Sequence, residues 1–142
     1  MKNKLAIKFE ACRIGIEPEA LAAFVDVESG GKGFDESTGK LLIQFEPAWY
    51  ATSGKWSVNG VEKQSQEWIA FNDAFAKDPI AAMESTSIGL GQVLGLHYKR
   101  LGYESVGDMW DDAKKGEDRH IYQMAEFIRT DSILLGAIKR KD

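Results

Sequence analysis

The carboxylate of Glu28 is the side chain of this sequence best placed to do chemistry. It follows Leu21 by about two helical turns, so we expect it on the same side of a helix as Leu21, Phe24 and Val25. A carboxylate on the core-facing side of a helix is desolvated, which favours the protonated form and raises its pKa. A carboxyl group that stays protonated near neutral pH is suited to act as a general acid. The alternative is that Glu28 marks the fraying end of the helix and faces solvent.

The helix that carries Glu28 is the first clear helix of the sequence. It is predicted to run from Pro18, a favoured first helical residue, to about Val27. The pair of glycines that follows Ser29 ends it and would let a ligand approach the backbone closely. The hydroxyl of Ser29 can hydrogen-bond a carboxyl group or a ligand.

The rest of the chain is predicted to be mostly helical. Apolar residues at helical spacing indicate further helices over 61–76, 79–85, about 94–101, 105–115, about 121–128 and from 131 onwards. A strand is predicted at 41–45, and strand is confined to a small β-hairpin region around residues 40–60. With six or seven helices in total, we predict a mostly α fold of the α+β class, in which residues 1–142 form a single domain.

The bulk composition argues against several functional classes. The 18 Lys and Arg are outnumbered by 22 Asp and Glu, a net charge of −4 that does not suit a nucleic-acid-binding protein. Cys12 is the only cysteine, so no intramolecular disulfide can form. No apolar run approaches a membrane span, and the short apolar stretch at residues 5–7 is too brief for a signal peptide. His97 and His120 lack metal-ligand spacing, so we predict no metal and no other cofactor.

Three ordered segments resemble the N-acetylmuramidase family of phage endolysins, which is part of the lysozyme-like superfamily. Residues 28–34, Glu-Ser-Gly-Gly-Lys-Gly-Phe, resemble the end of the catalytic helix in lysozyme-like enzymes. Residues 42–50, Leu-Ile-Gln-Phe-Glu-Pro-Ala-Trp-Tyr, resemble the strand that follows in this family. Residues 87–95, Ser-Ile-Gly-Leu-Gly-Gln-Val-Leu-Gly, resemble the Gly-Leu-x-Gln segment that the family shares with goose-type lysozymes and lytic transglycosylases. The resemblance extends from about residue 18 to residue 128.

The resemblance implies a lysozyme-like catalytic domain that cleaves the β-1,4 bond between N-acetylmuramic acid and N-acetylglucosamine in bacterial peptidoglycan. Glu28 would be the general acid and Glu46, at the end of the predicted strand, the second catalytic carboxylate. An alternative role for Glu46 is structural, holding the strand to the catalytic helix. Gln92 would line the sugar-binding cleft, and Ser29 and Tyr98 are further candidates for substrate binding. Trp49, Tyr50, Trp56 and Tyr103 are other aromatic side chains that could stack on sugar rings.

Two alternative functions remain open at this point. If Glu28 acts alone, first as acid and then as base, the chain would be a lytic transglycosylase with anhydro products. The family also leads us to expect a C-terminal segment that is missing after Asp142, so a truncated, catalytically silent protein that only binds peptidoglycan is the other alternative. In all three cases we expect a monomer, made in the host cytoplasm without a signal peptide, that acts on the cell wall.

Overall fold

The computed structural model describes residues 2–46 and 64–141, and helices dominate this part of the chain. The helices are α1 Lys4–Ile14, α2 Pro18–Ser29, α3 Gln64–Lys77, α4 Pro79–Glu84, α5 Val106–Ala113, α6 Glu117–Arg129 and α7 Ser132–Lys139. The strands are β1 Ile43–Phe45, β2 Thr86–Ile88 and β3 Val93–Leu94, followed by a 3₁₀ helix at Gly95–His97. The predicted mostly α fold of the α+β class is confirmed.

Two helices begin at side chains that cap their first turn. The hydroxyl of Ser105 accepts a hydrogen bond from the amide of Asp108 at 3.0 Å and caps α5. The carboxylate of Asp131 does the same for α7, accepting from the amide of Leu134 at 3.0 Å. Such caps satisfy amides that have no partner within the helix, so these helices begin where a capping side chain is available.

The small sheet joins two distant parts of the sequence. β1 lies in the predicted region but pairs antiparallel with β2, with Ile43 opposite Ile88. β2 and β3 form a hairpin through the four-residue loop 89–92. Strand is therefore not confined to residues 40–60, and the helix predicted over about 94–101 is reduced to one 3₁₀ turn. Strands of two or three residues are too short to show a period in the sequence, which is why the pattern did not predict β2 and β3.

Helix α1 is the helix that the sequence pattern missed. Its buried side includes Ile7, Ala11 and Ile14, which pack against α2 and α6. The same buried side also carries Glu10, which pairs with Arg13 at 2.7 Å, while apolar side chains such as Phe9 are exposed. A charged residue on the buried side and apolar residues on the exposed side blur the helical period on which prediction depends.

Helix α6 lies at the centre of the described fold. Ile121, Met124, Ala125 and Ile128 are all buried, as the spacing of the sequence predicts. They share one hydrophobic core with α1, α2, the three strands, α3, α4 and α5. Each large apolar side chain buried in such a core stabilises the fold by about 1.5–3 kcal/mol. The loops that pack against α6 therefore contact a helix that is held in the core.

Candidate active site

Glu28 lies in the last turn of α2 and its side chain is exposed. Leu21 and Val25 are buried and Phe24 is half-buried, so the predicted apolar stripe is present. The stripe does not continue as a buried surface to Glu28, and the predicted burial of this carboxylate is wrong. The physical reason is that α2 ends one residue later and the chain turns away at Gly30, which has a φ of 67°. Glu28 therefore occupies the solvent-facing end of an otherwise buried helix face.

The two glycines after α2 leave the backbone accessible beside Glu28. Gly30 and Gly31 have φ values of 67° and 85°, a conformation that favours glycine. A side chain at either position would meet nothing within 4 Å. The hydroxyl of Ser29 is used locally, because it donates to the carbonyl of Val25 at 3.1 Å and accepts from the amide of Gly31 at 3.2 Å. The Ser29 hydroxyl oxygen can accept one more hydrogen bond, so its predicted contact with substrate would use that position.

Glu46 is in a different environment from Glu28. It directly follows β1 and is half-buried, and this burial raises the pKa of its carboxyl group. Its backbone amide donates to the carbonyl of Ser85 at 2.8 Å, which continues the pairing of β1 with β2 by one residue. Glu46 is therefore the candidate carboxylate that the fold partly shields from water.

Side chains of α3 hold β1 in place along its free edge. The side-chain amide of Gln64 pairs with both the amide and the carbonyl of Ile43, each at 2.9 Å. The buried carboxylate of Glu67 accepts from the amide of Phe45 at 2.8 Å. These bonds satisfy backbone groups that an edge strand would otherwise leave unpaired. They also fix the strand whose end carries Glu46.

Gln92 lies in the loop of the β2–β3 hairpin with its side chain turned onto the backbone. Its side-chain nitrogen donates to the carbonyl of Gly89 at 2.8 Å and to the carbonyl of Leu42 at 3.2 Å. These bonds accompany a left-handed backbone at Gln92, with a φ of 48°. Because both amide hydrogens are engaged, the group that Gln92 can offer to a ligand is its oxygen, a hydrogen-bond acceptor.

Backbone hydrogen bonds bring three predicted segments together. The amide of Leu42 donates to the carbonyl of Gly33 at 2.9 Å, and the amide of Gly89 donates to the carbonyl of Leu42 at 2.8 Å. The segment after Glu28, the start of the strand that leads to Glu46 and the Gly-Leu-x-Gln loop are thus joined in one row. These are the three segments whose resemblance was noted in the sequence.

The aromatic residues predicted to contact sugar rings lie in different environments. Tyr98 directly follows the 3₁₀ helix and its half-buried ring packs against the core, so its contact with substrate stays a prediction. Tyr103 is engaged elsewhere, because its hydroxyl donates to Asp112 at 2.5 Å and accepts from Gln123 at 3.2 Å. Burial and the hydrogen bond to Asp112 raise the pKa of the Tyr103 hydroxyl above its usual range. Trp49, Tyr50 and Trp56 lie outside the described residues.

His120 and Glu117 on α6 are residues whose importance the sequence did not reveal. The sequence bears on His120 only through the absence of metal-ligand spacing, whereas in the structure His120 is buried against the glycine-containing segments of this site. Glu117 accepts a hydrogen bond from the amide of Gly33 at 2.8 Å. The available signal was position, since His120 precedes the buried Ile121 and lies one turn before Met124 on the apolar side of the helix.

Residues 2–46 and 64–141 also bear on two other kinds of feature, metal centres and membrane spans. Within these ranges, no three His, Cys, Asp or Glu side chains converge as a metal site would require. Over the same ranges, no helix combines the length and the apolar character of a membrane span.

The fold is similar to that of a phage endolysin of known structure. The crystal structure of the Burkholderia AP3 phage endolysin matches with a TM-score of 0.86 and 25% sequence identity. The match covers 97% of this chain and 58% of that chain, so the present sequence spans little more than half of that endolysin. Among curated proteins, none matches this chain.

A family match assigns the chain more closely. The sequence profile of the Muramidase family, described as N-acetylmuramidase, matches residues 47–142. The chain therefore belongs to the N-acetylmuramidase family, a family of peptidoglycan-degrading enzymes, and the resemblance seen in the sequence is confirmed. Gln92 and Tyr98 lie inside the matched range, whereas Glu28, Ser29 and Glu46 precede it. The roles of these five residues remain predictions.

Proposed function

We propose that this chain hydrolyses the β-1,4 bond between N-acetylmuramic acid and N-acetylglucosamine in bacterial peptidoglycan, with Glu28 as the general acid. The observation that carries the proposal is the row of hydrogen bonds through Gly33, Leu42 and Gly89. It places the accessible backbone after Glu28 beside the loop that contains Gln92. Membership of the N-acetylmuramidase family supports the same substrate. In this proposal the 142 residues act as one catalytic domain.

Substrate binding would supply the environment that Glu28 lacks in the free protein. A glycan strand lying against Gly30 and Gly31 would displace water from the Glu28 carboxyl group. Removal of water disfavours the charged form of a carboxyl group, so the substrate complex would hold the proton for the leaving oxygen. An exposed carboxylate in the free protein is compatible with this role, since catalytic geometry often tightens only in the substrate complex.

Glu46 is the second carboxylate of the proposal. Burial raises its pKa, and a carboxylate with a raised pKa is a stronger base near neutral pH. If Glu46 activates a water molecule, the reaction inverts and the carboxyl groups should lie about 6.5–9.5 Å apart in the complex. If Glu46 attacks the sugar directly, the reaction retains configuration and the separation should be about 5–5.5 Å.

Gln92 is proposed to accept a hydrogen bond from the sugar. Its nitrogen is engaged by the carbonyls of Leu42 and Gly89, which fixes the orientation of the amide group. An oriented acceptor suits the N–H of an acetamido group or a sugar hydroxyl. Ser29 and Tyr98 are secondary candidates for contacts with the same strand.

The proposal is tested by mass spectrometry of the soluble products that the protein releases from purified peptidoglycan. The key variant is Glu28→Gln, and the matched control is Glu19→Gln, which removes one exposed charge from the first turn of the same helix. We expect products with reducing N-acetylmuramic acid ends. Glu28→Gln should lower the rate by about 10²–10⁴-fold, the contribution typical of a general acid, and Glu19→Gln should leave it unchanged.

Other results of this experiment would change the proposal in defined ways. Anhydro ends would reassign the chain to lytic transglycosylase chemistry. Unchanged release by Glu28→Gln would remove Glu28 from the mechanism. Folded wild-type protein that binds the wall without releasing products would identify a silent peptidoglycan-binding protein.

A further inference from the structure

One side of α6 packs directly against the segments of the candidate site. Glu117, His120 and Met124 lie on this side at helical spacing, and we name these three residues the support face. His120 is the most buried of them, with 1% of its surface exposed. Burying an ionisable ring costs free energy unless the protein supplies hydrogen bonds to both of its nitrogens.

The ring of His120 fills space that two glycines leave free. A Cβ atom at Gly33 would lie 2.6 Å from the Cε1 atom of His120, and a Cβ atom at Gly89 would lie 2.8 Å from its Nδ1 atom. Met124 stands in the same relation to Gly91, where the distance between Cβ atoms would be 2.8 Å. A Cβ atom does not approach non-bonded atoms this closely, so the support face requires glycine in both segments. The ring of His120 therefore packs against both the segment after Glu28 and the hairpin loop.

Hydrogen bonds fix the ring and the two segments to each other. The Nδ1 atom of His120 accepts from the amide of Leu90 at 3.0 Å, so Nδ1 carries no proton. The Nε2 atom lies 2.7 Å from the carbonyl of Ala113 and must donate to it. Glu117 holds the other segment by accepting from the amide of Gly33 at 2.8 Å. The neutral tautomer of His120 with its proton on Nε2 is the form that satisfies both neighbours.

We propose that His120 is a positioning residue, whose neutral Nδ1 atom holds the hairpin loop that carries Gln92 in place beside the Gly30–Phe34 segment. This inference rests on the proposed function, because these two segments would form the wall of the glycan cleft. His120 does not reach the substrate itself. It acts through the amide of Leu90 and through its contact with Gly33.

The charge state of His120 agrees with this geometry. Burial lowers its pKa, which keeps the ring neutral near pH 7. The groups that oppose this effect are the carbonyl of Ala113 and the carboxylates of Glu117, Asp118 and Asp112. A proton on Nδ1 would place one N–H against the N–H of Leu90 and would break their hydrogen bond.

Two variants separate the two hydrogen bonds of the ring. The side-chain oxygen of Asn in His120→Asn can take the place of Nδ1 and keep the acceptor for Leu90. The side-chain nitrogen of Gln in His120→Gln can take the place of Nε2 and keep the donor for Ala113. Both variants remove the same ring, so a purely structural role predicts similar effects of the two.

The test measures amide hydrogen exchange at Leu90 and binding of a tetrasaccharide of alternating N-acetylglucosamine and N-acetylmuramic acid. Binding is measured in the Glu28→Gln background so that no cleavage occurs, and kcat and KM are compared in proteins that retain Glu28. We expect His120→Asn to keep the protection of Leu90 and to bind within about threefold of the parent. His120→Gln should lose that protection and bind about tenfold more weakly, the effect of one lost hydrogen bond.

Protein with the native His120 provides a measurement that does not depend on whether the His120 variants fold. As the pH is lowered, the NMR signals of the His120 ring and the Leu90 amide should change with one midpoint, and the tetrasaccharide affinity of the Glu28→Gln protein, which keeps His120, should fall with the same midpoint. An affinity that stays constant while His120 takes up its proton would overturn the positioning role.

The outcomes also separate this inference from the proposed function. Equal losses in His120→Asn and His120→Gln, in proportion to their stability, would overturn the positioning role and leave the proposed function intact. Tetrasaccharide binding without cleavage by the wild type would remove the proposed hydrolysis, and the positioning role would still be judged by binding. A wild type that neither binds nor cleaves would overturn both.

Discussion

The glycines of the candidate site fall into two regions with opposite surroundings. Gly30 and Gly31, beside Glu28, have left-handed backbones, and a side chain there would meet open space. Gly33 and Gly91 have no such backbone, and a side chain there would collide with the support face of α6. The first pair is glycine because of conformation, and the second because of packing. The comparison shows that the backbone beside Glu28 borders open space, whereas the backbone at Gly33 is tightly packed against α6.

The two regions also differ in how their polar groups are satisfied. Glu28 is at an exposed helix end, where a polar substitution disturbs little else. The buried polar side chains of α6 all have protein partners, for example Gln123 on the carbonyl of Met109 at 3.0 Å and Glu126 on Arg13 at 2.9 Å. Removing one partner of such a buried pair costs much more than removing an exposed group. Substitutions of buried groups in α6 should therefore cost the most stability. The predicted catalytic residue Glu28 lies at the surface, next to segments that pack against α6.

The largest effect on stability is expected from alanine at the packed glycine. Gly33→Ala should lower the free energy of unfolding by about 3 kcal/mol, because the new methyl group overlaps the ring of His120. Gly31→Ala should lower it by only about 1 kcal/mol, the penalty for a left-handed backbone without a steric clash. Urea unfolding of the two variants measures the difference directly.

A double variant identifies the origin of this effect. If the clash with the ring is the cause, Gly33→Ala should cost about 1 kcal/mol less in a His120→Asn background, where the smaller side chain makes room. Equal costs in both backgrounds, or a larger cost for Gly31→Ala than for Gly33→Ala, would contradict the distinction between the two regions.

Acid should destabilise the packed region by a smaller amount. The folded-state pKa of His120 is lowered, so the native ring stays neutral while the unfolded chain takes up a proton below a pH of about 6.5. The stability that depends on His120 is complete above that pH and is lost as the pH falls. Between pH 7.5 and pH 5.0 the wild type should lose about 1 kcal/mol more unfolding free energy than His120→Asn, as measured by urea unfolding at both pH values.

The comparison with His120→Asn cancels the contributions of two other groups whose pKa values are shifted, His97 and Glu46. The pKa of His97 is lowered by burial and by Arg100, so it also favours loss of stability in acid. The raised pKa of Glu46 acts in the opposite direction. Both groups are present in both proteins and cancel in the difference. Parallel pH dependences of the two proteins would show that the pKa of His120 is the same in the folded and unfolded states.

The same two regions show how much the sequence could predict. The helix that carries Glu28 and the buried side of α6 are long enough for their apolar spacing to be read, and the structure confirms both. The exposure of Glu28 could not be read in this way. Spacing gives the side of a helix on which a residue lies, and burial at a helix end depends on which loop packs there.

The side-chain contacts within the site could be predicted from the sequence even less well than the burial of Glu28. The sequence showed that the Gly-Leu-x-Gln segment is important by resemblance, but it did not show that Gln92 is bonded to the carbonyl of Leu42, fifty positions earlier. Nor did it show that His120 lies under Gly33 and Gly89, because a single histidine in a helix has no periodic signature. Tertiary contacts between short, irregular segments depend on the complete fold.

The smallest stability effect is expected at Glu46, and its sign decides between the two roles that the sequence left open. Because burial raises its pKa, the ionised form is disfavoured in the folded protein above that pKa. Glu46→Gln removes the charge and keeps the shape, so unfolding free energy at pH 7 should rise, by no more than about 0.5 kcal/mol because the group is only half-buried. The gain should vanish as the pH is lowered and the wild-type carboxyl group takes up its proton.

A catalytic role adds a second expectation for the same variant, since peptidoglycan cleavage should fall about 10²-fold or more while stability is unchanged or higher. A structural carboxylate that holds the strand to the catalytic helix predicts the reverse, a clear loss of stability with activity falling only in proportion to it. Glu36→Gln, at an exposed position in the preceding loop, is the matched control and should change neither property. Higher stability together with lost cleavage would show that the half-buried carboxylate at the end of β1 is kept for chemistry at some expense to the fold.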